Sequence, residues 1–317
     1  MFIQPWFEGL FRDSCRYYWQ LAGEEPMLIE VLIVGVMVGA IYSLVTIGYS
    51  MVYGILKLMN FAHGDVYIFG TLLCYTLLAK FHLNPIIAVL MAAVIGGLLA
   101  SLVEVIAYRR LRAAQHRMIS MITALGAAYV IQNSSELSWG NQVLSFPSLF
   151  PDQNIIVFGS QISVTHIFTL IVAILVIVGF NLFLKYHKAG KAILCVSEDI
   201  PTSSLMGIPI NRTISVVYFF GGVFGVLGGV LYSASYNAIS ISMGFRGTII
   251  AFTAAVIGGI GSLGGALIGG MILGLSENLI SVYVSSSYKD PITFLILISI
   301  LLIRPTGILG NAESGKV

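Results

Sequence analysis

Few side chains in this 317-residue sequence could do chemistry, and their surroundings limit what that chemistry is. Asn60, His63 and Asp65 fall within Leu58-Met59-Asn60-Phe61-Ala62-His63-Gly64-Asp65, at the edge of a long apolar run. Glu277 and Asn278 interrupt another such run. Glu104 lies near the end of a third, and Glu136 just past a fourth. An ionisable group inside a hydrocarbon layer is costly, so it marks a solute path, a relay or a structural pair. For the 60–65 cluster the residue types allow a solvated loop, a helix cap or part of a path wall with a gating role. The lone His63 suits a hydrogen bond better than a metal. For Glu277, structural pairing and pathway lining both stay open. Glu104 and Glu136 are expected to remain solvated close to an interface. No HExxH, GxSxG or paired-carboxylate arrangement occurs, so no catalytic residue or metal site is expected. Only Lys191 and Lys316 follow a glycine, and neither is followed by Ser or Thr. The phosphate-cradling GxxxxGK[ST] loop is therefore absent, and the chain should not hydrolyse ATP by itself.

The elements that must carry these residues are membrane helices. Charged residues are 9% of the chain and hydrophobic residues 57%, against about a quarter charged in a soluble domain. In water such a composition would expose large apolar patches; the lipid bilayer is the solvent that suits it. The net charge of +2 and the absence of any basic stripe interleaved with aromatics exclude a nucleic-acid partner. Cys15, Cys74 and Cys195 lie far apart and form no CxxC pair, which argues against a disulfide framework or a zinc site.

A spanning helix needs about 20 predominantly apolar residues. Runs at 28–52, 61–79, 86–107, 118–134, 165–184, 214–237, 248–262, 264–284 and 291–309 qualify. The predicted fold class is thus all-α: a polytopic helical membrane protein of about eight to ten transmembrane helices. A Gly-broken helix is expected near 258–265, where 248–284 is two spans, a span plus a re-entrant segment, or one interrupted helix. Residues 1–27, with Trp6, Tyr17, Tyr18 and Trp19 among charges, read as an interfacial N-terminal segment. Residues 28–310 read as the transmembrane domain and 311–317 as a tail. Arg109, Arg110, Arg112 and Arg117 form one basic loop; Lys185, Lys188, Lys191 and Arg212 form another; Met118 to Leu184 contains no Lys or Arg. Short basic loops stay on the cytoplasmic side. Nine spans then put the N-terminus outside and the C-terminus inside. Gly221, Gly225 and Gly229, like Gly261, Gly265 and Gly269, recur every four residues, the spacing that lets helix backbones approach closely in lipid. Gly258, Gly259 and Gly261 are also candidates for a hinge or for lining a path.

The second basic loop, 185–213, holds a local signal. Asp199 is a good N-cap, Pro201 falls in the first turn, Gly207 is a natural C′ residue, and Pro209 prevents continuation. A helix of about two turns is predicted, too short to be stable alone in water, so it needs a partner surface unless it is an ordinary connection.

The segment from Ser197-Glu198-Asp199 through Ser203, Leu205 and Gly207-Ile208 resembles the cytoplasmic coupling loop of bacterial ABC importer permeases. Asn60-Phe61-Ala62-His63-Gly64-Asp65 is similar to the signature of branched-chain amino acid importer permeases. Ala251-Phe252-Thr253-Ala254-Ala255-Val256-Ile257-Gly258-Gly259-Ile260-Gly261-Ser262 and Arg304-Pro305-Thr306-Gly307-Ile308-Leu309-Gly310 point the same way. The resemblance covers most of 28–310 and is nearest to the H-type permease subunit of high-affinity leucine/isoleucine/valine systems. One departure is that Pro201, Thr202 and Ser203 stand where the general coupling pattern has Glu-Ala-Ala six residues before the glycine. The resemblance implies a multi-pass subunit of the bacterial cytoplasmic membrane that translocates branched-chain or related hydrophobic amino acids. It implies a second, homologous permease, two cytoplasmic ATPase subunits that bind the ATP, and an extracytoplasmic amino-acid binding protein. It also makes Glu198, Asp199, Ser203, Ser204, Leu205 and Gly207 the contact with the ATPase. Urea or short-chain amides are the alternative cargo. An ion-coupled secondary transporter is the alternative class, although no convincing inverted repeat or mid-membrane ion relay supports it.

Overall fold

The computed structural model describes residues 28–111, 117–147, 149, 154–157, 160–304 and 306–310. The expected N-terminal interfacial segment, the tail 311–317 and Arg112 lie outside the described residues. Nine helices stand at the nine predicted spans: α1 Leu28–Leu56, α2 His63–Ala79, α3 Pro85–Val103, α4 Arg117–Trp139, α5 Val164–Tyr186, α8 Ile210–Tyr236, α9 Met243–Gly258, α10 Leu263–Tyr283 and α11 Lys289–Ile303. Two short helices, α6 Lys188–Glu198 and α7 Ile200–Leu205, lie between α5 and α8. Among the described residues six helices are long and apolar enough to cross a membrane, with α3 continued to Tyr108 and α11 taken from Ser286. Of the other three, α2 and α9 are short, at 17 and 16 residues, and α4 carries the polar run Gln132-Asn133-Ser134-Ser135-Glu136.

Helix α1 is the axis of the bundle. Its 29 residues rise about 43 Å, more than the roughly 30 Å hydrocarbon layer, and from Met37 to Val52 every residue is buried. Helices α8 and α10 pack on it through glycines: a Cβ on Gly48 would meet the Gly221 carbonyl oxygen at 2.8 Å, and one on Gly39 the Met271 Cα at 2.9 Å. In lipid no hydrophobic force draws helices together, so close backbone packing of this kind is what holds them. The four-residue glycine spacings are contact stripes: Gly265 faces Gly258, Gly269 faces the Ala254 carbonyl, and Gly229 faces Tyr67 and Thr71.

The outer helices show the opposite pattern. On α3, Ile86, Leu90, Val94, Leu98 and Leu102 are exposed at every fourth position, while Ala88, Ala92, Ala93, Gly96 and Ala100 are buried against α8. On α5, Ile171, Ile174, Leu175, Val178 and Leu182 are exposed. An apolar stripe of that length facing outward is a surface for acyl chains.

The two basic loops lie at one end of the bundle. Arg109, at the end of α3, donates to the Ser215 hydroxyl near the start of α8, and the 185–213 segment leads into that same helix end. The opposite end carries the antiparallel pair β1 Leu144–Ser145 with β4 Ala238–Ile239 and the hairpin β2 Asn154–Val157 with β3 Ser160–Ser163. Helix α4 runs to Trp139, whose indole N–H donates to Thr76 Oγ1 at 2.7 Å. Glu136 is therefore within a helix, not past it, and is half-buried beside Gln132.

The expected Gly-broken helix resolves into two helices. Helix α9 ends at Gly258. Gly259 and Gly261 take φ of +107° and +86°, which L-residues adopt at a cost, and α10 starts at Leu263 with Ser262 as its N-cap. The chain end closes the corner: the Ile308 and Leu309 amides donate to the Ile257 and Gly258 carbonyls at 2.9 and 2.8 Å, satisfying groups that a helix terminus leaves orphaned.

Candidate functional site

At the basic end, α6 and α7 form a bracket. Sequence reading places only one helix in 185–213; α6 was missed, although Gly190, Ile193 and Val196 give it a buried face at a three-residue spacing. His187 caps α6 by accepting from the Ala189 amide. Gly190 sits so close to Phe183 and Leu184 that α6 folds directly back on α5. Helix α7 is as the sequence predicts. Asp199 accepts from the Thr202 amide at 3.3 Å and the Thr202 hydroxyl at 2.7 Å. Gly207 has φ +80° with nothing within 4 Å of where its Cβ would be. Glu198, Asp199, Ser204 and Leu205 are exposed, whereas Ser203 turns inward at 4%. Leu205 and Met206 are 89% and 78% exposed, and Met206 is a further surface residue that motif matching passed over.

Deeper in the bundle, the structure brings Asn60 and His63 together. Both are buried, and with Val52, Val103 and Tyr218 they border a cavity of about 10 Å³, close to the least that holds one water. Tyr108 donates to Asn60 Oδ1 and to the Met59 carbonyl, each at 3.3 Å. His63 is the first residue of α2; its ring meets Tyr49 edge-on at 5.7 Å, and its Nε2 has no hydrogen-bond partner among the described residues. Asp65, also buried, stands in the first turn of α2, where the helix dipole favours a negative charge. It does not border this cavity. Gly258, Gly259 and Gly261 do not border it either; they sit at the packed α9–α10 corner.

Glu104 corrects its expectation. It is fully buried rather than solvated. A π-turn over Glu104–Tyr108 continues α3, with the Arg109 amide bonded to the Glu104 carbonyl. This wider turn sets residues five apart one above the other, which a regular helix does not. Arg109 thereby reaches Glu104 at 2.8 Å, and Ser215 of α8 donates to the same carboxylate at 2.6 Å.

The most elaborate polar group is at the opposite end. Glu277 of α10 is 4% exposed, accepts from the Tyr42 hydroxyl at 2.8 Å and pairs with Arg246 at 2.6 Å. The Arg246 Nε lies 2.9 Å from Asp290 Oδ1 at the start of α11. Arg246 also borders a cavity of about 60 Å³ with Ile41, Tyr42, Val45, Tyr67, Tyr232 and Ile250. Glu277 is thus paired and also one residue away from a cavity, and it shares nothing with the Asn60–His63 group. Sequence reading missed Arg246, Tyr42, Tyr232 and Asp290. The available signal was a lone Arg between two spans, on the side away from the basic loops, with a buried Glu in need of a countercharge.

Comparison with known proteins follows from this geometry. The family model described as "Branched-chain amino acid transport system / permease component" matches residues 31–303. The high-affinity branched-chain amino acid transport system permease protein LivH of Salmonella typhimurium is 38% identical over 295 residues, covering 89% of this chain and 96% of that protein. The corresponding protein BraD of Pseudomonas aeruginosa is 37% identical over 303 residues, covering 91% and 98%. Among solved structures, a chain of PsaBC from Streptococcus pneumoniae in complex with Fab superposes with a TM-score of 0.52 at 15% identity, over 88% of this chain and 92% of that one; the likeness is one of fold.

Proposed function

The chain belongs to the family of branched-chain amino acid transport permease components, and from that membership we propose that it is the membrane-spanning subunit of an ATP-driven importer for branched-chain or related hydrophobic amino acids. It would sit in the bacterial cytoplasmic membrane with its basic end inside, because Lys- and Arg-rich short loops are retained there. A second permease would complete the pathway, two ATPases would dock at the basic end, and an extracytoplasmic binding protein would deliver the cargo. ATP-driven closure of the ATPase pair would rock the helix bundle between inward and outward states.

The observation that carries the coupling part of this reading is the α6–α7 bracket. A six-residue helix has no reason to hold Leu205 and Met206 out in solvent, capped at both ends, unless another surface covers them. Leu205→Asp is expected to lower ATPase co-purification about tenfold, since a buried leucine contributes about 1.5–3 kcal/mol, with unchanged thermal stability of the permease. Gly207→Val should act similarly: φ +80° is strained for valine, yet open space around Gly207 leaves the bundle undisturbed. Wild-type ATPase recovery in both variants would remove α7 from the contact. The transport reading itself is tested in proteoliposomes holding the complete importer. Leucine uptake should require ATP and be indifferent to an ion gradient; uptake driven by an ion gradient alone overturns it.

A further inference from the structure

We propose that the cavity beside Arg246 is a binding site for a zwitterionic amino acid, in which the ligand's carboxylate takes Arg246 from Asp290 and its ammonium group takes Asp290 in turn. This rests on the importer reading and adds to it a site within the permease, separate from whatever the binding protein recognises.

Four observations point to it. Among the described residues the group contains two carboxylates and one guanidinium, a surplus negative charge that a ligand ammonium group would balance. The two carboxylates are not equivalent. Glu277 is buried, with one oxygen on Arg246 and the other on Tyr42. Asp290 is 62% exposed and holds Arg246 by a single contact, and so is the exchangeable partner. Arg246 keeps 35% of its surface and borders the cavity, so its guanidinium is within reach of a ligand there. Finally, the other walls include Ile41, Val45 and Ile250, with the aromatic Tyr67 and Tyr232, and the space is about 60 Å³. At about 10–15 Å³ for each water-sized group, that holds the four carbons of a leucine side chain. An apolar pocket lined by one fixed cation, which itself holds an exchangeable anion, selects a small amphoteric molecule with an aliphatic tail. A guanidinium suits the carboxylate because its planar fork matches two oxygens.

The test uses the complete importer in nanodiscs without binding protein, with radiolabelled leucine as probe and two analogues as competitors. 4-Methylpentanoate keeps the carboxylate and lacks the amine; 3-methylbutylamine keeps the amine and lacks the carboxylate. In the wild type, leucine should bind saturably and both analogues should compete about five- to tenfold more weakly. Asp290→Asn, at an exposed position, should keep assembly. It should bind leucine only as well as 4-methylpentanoate, whose own affinity should rise because Asp290 no longer competes for Arg246. Arg246→Gln should lose leucine and 4-methylpentanoate together. A wild-type preference for leucine over 4-methylpentanoate in Asp290→Asn, or no saturable leucine binding by a wild-type importer that transports leucine when the binding protein is added, overturns the site. If the wild-type importer with binding protein and ATP moves no leucine at all, the transport reading fails instead, so the two failures are separable.

Discussion

Gly269→Val is expected to prevent the bundle from assembling. A Cβ at Gly269 would lie 1.9 Å from the Ala254 carbonyl oxygen and 2.9 Å from the Gly258 nitrogen, across the α9–α10 contact. Both opposing atoms are backbone, so no rotamer change relieves the overlap, and the two helices must separate. Overpacking of a rigid core costs about 1–3 kcal/mol, and a clash between two backbones belongs at or above the top of that range. Against a stability of about 5–15 kcal/mol, detergent-solubilised protein should melt many degrees lower or be missing from the membrane fraction. The control is Gly179→Val or Gly126→Val, where nothing lies within 4 Å of the added carbon. Those variants should match the parent, because valine costs a helix no more than glycine does. Equal melting temperatures for Gly269→Val and Gly179→Val would show that the α9–α10 contact does not hold the fold.

Arg109→Ala is expected to be more damaging than Glu104→Ala, although each removes half of one ion pair. Glu104 is fully buried, whereas Arg109 keeps 35% of its surface. Deleting Arg109 takes its guanidinium away from a carboxylate in the protein interior that also accepts from the Ser215 hydroxyl. An uncompensated buried charge costs about 3–5 kcal/mol. Deleting Glu104 leaves a guanidinium at the helix end that can turn toward water and lipid headgroups, and the cost should be about half as large. The double variant Glu104→Leu with Arg109→Leu should recover most of the loss, since replacing both partners by apolar groups is often neutral. Thermal unfolding of the parent, the two alanine variants and the double leucine variant measures these differences. If Glu104→Ala proves the more destabilising, the pair is not anchored by its buried carboxylate.

The end-facing features were legible because their signals are local. Asp199, Pro201 and Gly207 specify α7 within nine residues, and the structure sets each in the role its type suggests. Helix α6 was missed because its buried face is defined by contact with α5 and α8, and its sequence Lys-Ala-Gly-Lys-Ala-Ile-Leu mixes charge with glycine. Glu104 was misread for a different reason. Its partner is five residues away, a spacing that a regular helix puts on another face, and only the π-turn brings it back. Glu277 could be singled out as a buried charge, but Arg246 is 31 positions earlier, on another helix.

The sequence by itself determined the membrane character, a helical bundle of about eight to ten spans with 248–284 left open, the clustering of the basic loops at one end and the capped α7 helix. Hydropathy, charge and capping act over one helix or one turn, so they can be read along the chain. Only the tertiary structure decided which distant polar groups meet: Asn60 with Tyr108, Glu104 with Ser215, Arg246 with Glu277 and Asp290. Those meetings depend on how each helix is rotated about its axis. In lipid, where apolar faces do not distinguish neighbour from solvent, that rotation is fixed by backbone contacts such as Gly48 against Gly221 and Gly269 against Ala254.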